Sequence, residues 1–324
     1  MTMGRFVSIA LALFAGMTSS AQAQPFPSKP ITIIVPFAAG GPSDVLARTL
    51  GERMRVTLNQ TVVIENVTGA AGTIGVTRVT RSPADGYTIS FGHLGTHVVN
   101  GAIYSLPFDL VNDLEPVAML GANPMLVVSK NALPAKTLQE LIAWVKANQD
   151  KATFGTAGVG SGAHFSGVYF QSLIGTKANY VPYRGTGPAL QDLVAGQIDI
   201  IVDQASNSLP QVNAGTIRAY AVTDTKRIPS ASGIPTVAEA GLPGFHVSLW
   251  SGLWAPKDTP KDVIGRLNEA VRAAFADAGV QKRYAELGLE LPAANQQTPE
   301  ALRAHQKAEV AKWWPVIKAA NIKP

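Results

Sequence analysis

ITIIVPFAAGGPSDVLARTL, Ile31–Leu50, decides how the fold is read. Ile31-Thr32-Ile33-Ile34-Val35 is a β-branched run too continuously apolar to have a wet face, as expected of a strand covered on both sides. Pro36 to Pro42 is rich in glycine and proline and reads as a loop. Ser43 then stands where a helix cap belongs, ahead of Leu46, Leu50 and Met54 at fourfold spacing. A strand, a loop of small residues and a helix follow one another within about 25 residues, which is one unit of a parallel, helix-covered sheet.

The unit recurs downstream. Val62-Val63-Ile64, the loop around Gly69-Ala70-Ala71-Gly72 and a helix to about Arg81 make the second, and an Asp85-Gly86 turn leads into the strand Tyr87 to Phe91. Thr137-Leu138-Gln139-Glu140 is a capping box ahead of Leu138, Leu141, Ile142 and Val145 on one face. A strand at 152–155, a helix near 163–173 and a strand at 179–181 come next. Pro188 suits the first turn of a helix closed by Gly196, and strands follow at 198–202 and 218–222. The last third is mainly helical. Thr259-Pro260 and Thr298-Pro299 read as caps with first-turn prolines, and Pro315 is expected to end or kink the final helix. The fold class is therefore α/β, in two layered α/β domains joined by crossing strands.

Composition sets the limits. The chain has 324 residues, 46% hydrophobic and 15% charged, long enough to bury a core without further staples. Lys plus Arg total 27 against 22 for Asp plus Glu, spread thinly, so no nucleic-acid partner is expected. Without cysteine, disulfides, thiolate metal sites and a Cys nucleophile are excluded together. Residues 1–23 pair Arg5 with an apolar stretch from Phe6 to about Met17 and end in Ala21-Gln22-Ala23, the layout of a secretory signal cleaved after Ala23. The stretch falls short of the ~20 residues that span a bilayer, so the mature protein is expected outside the cytoplasm.

Three loops lie between a strand end and a helix start: 36–44, 155–164 and 181–187. Unpaired N–H groups at helix starts carry partial positive charge and suit a carboxylate or phosphate, while glycine permits close approach and hydroxyls add donors. Each loop alone is explained by ordinary turn chemistry. Three together, at the carboxyl ends of strands, point to a ligand site. Gly158 to Ala163 also fits G-x-G-x-x-A, the dinucleotide fingerprint, although the acidic residue expected about 20 positions on is missing and Arg184 stands in that region. No G-x-S-x-G, P-loop or H-E-x-x-H is present. His93 and His97 lack a third metal ligand nearby and read as core or loop residues. His164 opens a predicted helix, where the local potential disfavours its charged form. Phe37, Phe165, Tyr183, Trp250 and Trp254 could wall an apolar cleft or fill the core.

These segments resemble the solute receptors of tripartite tricarboxylate transporters, the Bug receptor family. The residues that carry the resemblance are Pro30–Gly41 with Asp44, Gly69-Ala70-Ala71-Gly72, Val181-Pro182-Tyr183-Arg184-Gly185 and Ile234–Gly241. The resemblance implies a two-lobed, hinged periplasmic-binding-protein fold of the type II, Venus-flytrap kind. Domain I would comprise 24–124 and 224–324, and domain II 125–223. It further implies no enzyme activity and no cofactor, a small organic carboxylate as ligand, membrane subunits of such a transporter as partners, and a monomer in the periplasm. The ligand's carboxylate is expected on Phe37, Ala38, Ala39, Gly40, Gly41, Ser43 and Asp44 of the first loop and on Gly158, Gly160 and Ser161. Thr156, His164, Tyr183, Thr186 and Asp203 are expected on the opposing wall, with His246 and Trp250 in a distal pocket. An exported enzyme acting on a carboxylated substrate and a dinucleotide enzyme remain as alternatives.

Overall fold

The computed structural model describes residues 26–177 and 179–319, so the expected leader at 1–23 lies outside the described residues. β1 (Ile31–Val35) forms as read, with only Thr32 short of full burial. It lies parallel to β2 (Val62–Asn66) on one side and β3 (Thr88–His93) on the other. α1 (Pro42–Leu58) buries Leu46, Leu50 and Met54 against this sheet, and α2 (Thr73–Thr80) follows β2.

One strand organises everything else. β4 (Leu114–Lys130) is 17 residues long and was not legible in the sequence, because Pro116, Gly121, Asn123 and Pro124 interrupt it. From Leu114 to Pro124 it pairs antiparallel with β9 (Ser248–Pro256), which itself pairs with β3. From Met125 onward the same strand pairs with β7 (Ile200–Gln204) and β8 (Ile217–Val222). β7 continues the second sheet to β5 (Thr153–Thr156) and β6 (Asn179–Pro182), so one sheet passes into the other through a single ribbon. The ladder shifts register between Met119 and Gly121. There Gly121 adopts φ +115°, and a Cβ would stand 2.2 Å from the Glu290 carbonyl oxygen, so only glycine fits. Thr223 ties the crossing together: its N–H donates to Met125 O at 2.9 Å, its hydroxyl oxygen accepts from Met125 N at 3.0 Å, and its carbonyl accepts from Val247 N at 3.3 Å.

Helices cover both sheets: α3 (Asn100–Ile103), α4 (Leu138–Ala147), α5 (Gly162–Ile174), α6 (Thr186–Val194), α7 (Ala205–Asn213), α8 (Lys261–Phe275), α9 (Ala278–Glu286) and α10 (Pro299–Ala319). A π-helical turn at Gly95–Val99 precedes α3. Three helix readings need correction. α1 starts at Pro42 after Gly41, so Ser43 is not its cap; proline lacks the N–H a cap would satisfy, and Asp44 instead accepts from Gly40 N at 2.9 Å. α8 starts at Lys261 with Pro260 as its cap, because the Thr259 hydroxyl donates to Pro256 O at 2.7 Å. α10 does not end at Pro315. The proline costs an internal hydrogen bond, but Trp313 and Ile317, both buried, anchor the helix on either side of it. Among the described residues no helix is long and apolar enough to cross a membrane.

Candidate functional site

Three β-to-α junctions meet at one crevice: β1 to α1, β5 to α5 and β6 to α6. The first junction is braced from below, where Asn66 Nδ2 donates to Phe37 O at 2.9 Å. It meets the third directly, since Ala38 N donates to Arg184 O at 3.1 Å. A Cβ on Gly187 would sit 3.3 Å from Gly41 N, so these glycines let two backbones touch. The second junction reaches across at Tyr104, whose hydroxyl donates to Val159 O at 2.6 Å. The crevice is shut, and the space left to the centre of a water-sized sphere is about 20 Å3, enough for a water or two.

Of the residues expected at the ligand, Phe37, Gly41, Ser43, Ser161 and Thr186 line this space. Other expected residues stand around it in supporting places. Ala39 and Gly40 face an outer groove toward α6 and α7, while Ala38 is spent on the Arg184 contact. Asp44 turns to Gly40 N and to Arg48 Nε, each 2.9 Å away. Burial alone would push its carboxyl up, but the Arg48 guanidinium, Gly40 N–H and Asn66 together hold it below the usual range. Asp44 therefore fixes the loop and does not line the crevice. Thr156 accepts from Gly158 N at 3.3 Å, which shapes the second loop. Gly160 N donates to His164 Nδ1 at 3.3 Å, and Ser161 Oγ caps α5 by accepting from His164 N at 3.2 Å.

Burial lowers the His164 pKa to about 4, so the ring is neutral and carries its proton on Nε2. Gly158 and Tyr183 lie at the outer mouth of the crevice beside Arg184, with the Tyr183 hydroxyl donating to Asp192 Oδ2 at 2.6 Å. Asp203 sits behind Thr186, fully buried, and accepts from Ser208 Oγ at 2.6 Å and Asn207 Nδ2 at 2.7 Å. Burial pushes its carboxyl up to about 6 despite those donors.

The structure does not bring His246 and Trp250 here. Both line a separate hollow at the hinge, because the β9 face that carries Trp250 is covered by α10 and does not open to the crevice. Trp254 and Phe165 are core residues, stacked on His97 at 4.0 Å and edge-on to Trp313 at 4.9 Å. Two polar lining residues outside the three loops were missed. His93, read from the sequence as a core or loop residue, ends β3 and stacks on Phe37 at 5.1 Å. Its Nδ1 accepts from Gly95 N at 3.0 Å and burial lowers its pKa to about 4, leaving a neutral ring with Nε2–H. Gln204 ends β7, a strand terminus that the same loop argument could have flagged. Its Oε1 accepts from Asn123 Nδ2 on the crossing strand at 2.9 Å.

Among the described residues no Lys or Arg lines the closed space. What faces it is a set of neutral donors: helix-start N–H groups, three hydroxyls, an amide and an imidazole, aimed from both sheets. Such dipoles suit a desolvated carboxylate and disfavour a cation. The dinucleotide fingerprint, although placed between a strand and a helix, has Gly158 N held by Thr156 Oγ1, Gly160 N by His164 Nδ1 and Ser161 N by Gly158 O, so these N–H groups are not offered to a pyrophosphate.

Two sheets sharing crossing strands around an anion-directed crevice define the class of two-lobed solute-binding receptors. A sequence profile described as "Tripartite tricarboxylate transporter family receptor" matches residues 46–322. The chain belongs to that family, which includes the Bug receptors and consists of receptors, not enzymes. A relative from Agrobacterium vitis, encoded in the TAR-I ttuE-ttuC' intergenic region, is 42% identical over 93% of this chain and 87% of its own. The periplasmic binding protein BugD superposes with TM-score 0.89 at 39% identity, covering 92% of this chain and 100% of its own. MatC from Rhodopseudomonas palustris with bound malate gives TM-score 0.88 at 38% identity, over 90% of this chain and 100% of its own.

Proposed function

We propose that this receptor captures a small dicarboxylate of the malate type in the periplasm, after removal of residues 1–23, and delivers it to the membrane subunits of a tripartite tricarboxylate-type transporter. The lobes are 24–124 with 224–324, and 125–223, parting where β4 exchanges β9 for β7 and β8. One carboxylate sits on Gly41 and Ser43 from one lobe and on Ser161 and Thr186 from the other, with His93 Nε2–H and the Gln204 amide completing its shell. The second carboxylate points to the outer mouth beside Tyr183 and Arg184.

The observation that carries this reading is the convergence of three helix starts, from both sheets, on one space with neutral donors only. The malate held by MatC supports the ligand class. Because the shut crevice is far smaller than the several hundred Å3 of ordinary ligand pockets, the ligand enters an open form and stabilises closure through contacts to both lobes. The test is a calorimetric titration with malate, other C4 to C6 diacids and the dimethyl esters of each. Binding of one or more free acids with none of the esters supports the reading. Binding of esters as tight as the acids, or of no acid in the panel, sinks it.

A further inference from the structure

Trp250 belongs to a second hollow, of about 350 Å3, on the hinge. Its walls come from the paired strands β4 and β9 and from the chain beside them: Ala122 on β4, Ser248 on β9 and Thr223 after β8, with α10 laid over them. α10 supplies Glu309, whose Oε2 accepts from Trp250 Nε1 at 3.1 Å and from Trp313 Nε1 at 2.9 Å. Held by two indoles and only 14% exposed, this carboxylate is fixed in place. Its other oxygen has only the Lys312 ammonium, 3.7 Å away.

That lysine shows what the hollow favours. Its Nζ lies 4.5 Å over the Trp313 ring, so an alkylammonium already rests on an indole face beside Glu309. The lysine side chain is 60% exposed and free to give way. Asp224 and Glu290 add two more carboxylates around the hollow, while Lys312 is, among the described residues, the only Lys or Arg lining it. His305, edge-on to Trp250 at 4.7 Å, has its pKa lowered by burial, and its Nε2 and Ser248 Oγ are buried without hydrogen-bond partners. Three carboxylates against one ammonium, over aromatic rings, make the opposite chemistry to the crevice.

We propose that the hinge hollow binds a small organic cation, an ammonium on an apolar body, through Glu309 and the indoles of Trp250 and Trp313. An occupant touches the ribbon whose motion opens the crevice. Ala122 is followed by Asn123, which bonds Gln204 in the crevice at 2.9 Å, so occupancy of the hollow alters the affinity of the crevice. This second half rests on the receptor reading.

The test is calorimetry on the mature chain with benzylammonium chloride, and with benzyl alcohol as its uncharged counterpart. Saturable binding of benzylammonium at least about tenfold tighter than benzyl alcohol is expected, since a desolvated cation–π contact and an ion pair are both lost in the alcohol. Glu309→Gln should weaken it about tenfold, Asp224→Asn about twofold, and Lys312→Met should tighten it about threefold by removing the resident ammonium. No saturable binding, equal binding of benzyl alcohol, or weakened binding in Lys312→Met overturns the site, the last even if Glu309→Gln does not fold. For the coupling, the malate Kd is measured with and without saturating benzylammonium, and the two ligands should shift each other by one common factor. An unshifted malate Kd overturns the coupling. If malate and the other acids do not bind at all, the receptor reading falls while the benzylammonium result stands on its own.

Discussion

The crevice and the hinge hollow are both walled by the two sheets, yet their chemistry is opposite. The crevice is nearly filled, ends on helix starts and presents neutral donors. The hollow is open, aromatic and acidic, and its polar groups come from side chains of α10, of β9 and of the segments that follow β8 and α9. Main-chain dipoles build the first; long side chains build the second. In the two proposals, the sign of each ligand follows the part of the chain that faces the space, independently of the protein's net charge of +5.

Substitutions can break this comparison. The largest effect is expected for Gly41→Val. A Cβ there has its nearest atom, Ala38 O, at 3.4 Å, so the fold tolerates it, but the branched methyls fill the space above the α1 start. Malate affinity should fall by about a hundredfold, or ~3 kcal/mol, with thermal stability close to the parent's. Unchanged calorimetric affinity removes Gly41 from the site. Ser161→Ala should cost about tenfold in affinity and, through the lost α5 cap, ~1 kcal/mol in stability by chemical denaturation. A stability loss alone would make Ser161 a cap and nothing more.

Asp203→Asn sharpens the comparison through pH. The folded carboxyl titrates near 6, above its ordinary value of 3.8, so the folded state binds the proton more tightly. This residue's contribution to stability is full below about pH 4 and is lost as pH rises through 6. The parent minus Asp203→Asn difference in unfolding free energy should fall by on the order of 2 kcal/mol across that window. A flat difference would mean that Asp203 is not buried as described. The smallest effect is expected for His246→Ala, which should change malate affinity by no more than about twofold, as for an exposed residue outside the crevice. A change in preference among diacids would return His246 to the ligand.

The comparison also explains what the sequence could disclose. Ile31–Val35 and the glycines after it were readable because burial on both faces and helix-start turns leave local composition signals, and the same holds for Thr137 and Thr298 as caps. Trp250 was misplaced for a physical reason. Alternation along β9 tells which side chains share a face, but what covers that face is decided by α10, more than 40 residues further on. β4 was invisible because its prolines and glycine contradict strand propensity; its pairing comes from β9 and β7, both distant in the chain. His93 was overlooked because the π-helical turn behind it, which supplies the Gly95 N–H, has no simple periodicity.

The two neutral imidazoles carry one further consequence. His93 and His164 keep their single protons down to about pH 4, and among the described residues no side chain that lines the crevice itself changes charge just above that value. The grip on a diacid then varies with external acidity through the diacid and through Asp203, which gains charge behind Thr186 as pH rises through about 6, and not through the imidazoles. In a compartment that takes on the acidity of its surroundings, such a receptor goes on collecting its nutrient until the nutrient stops being an anion.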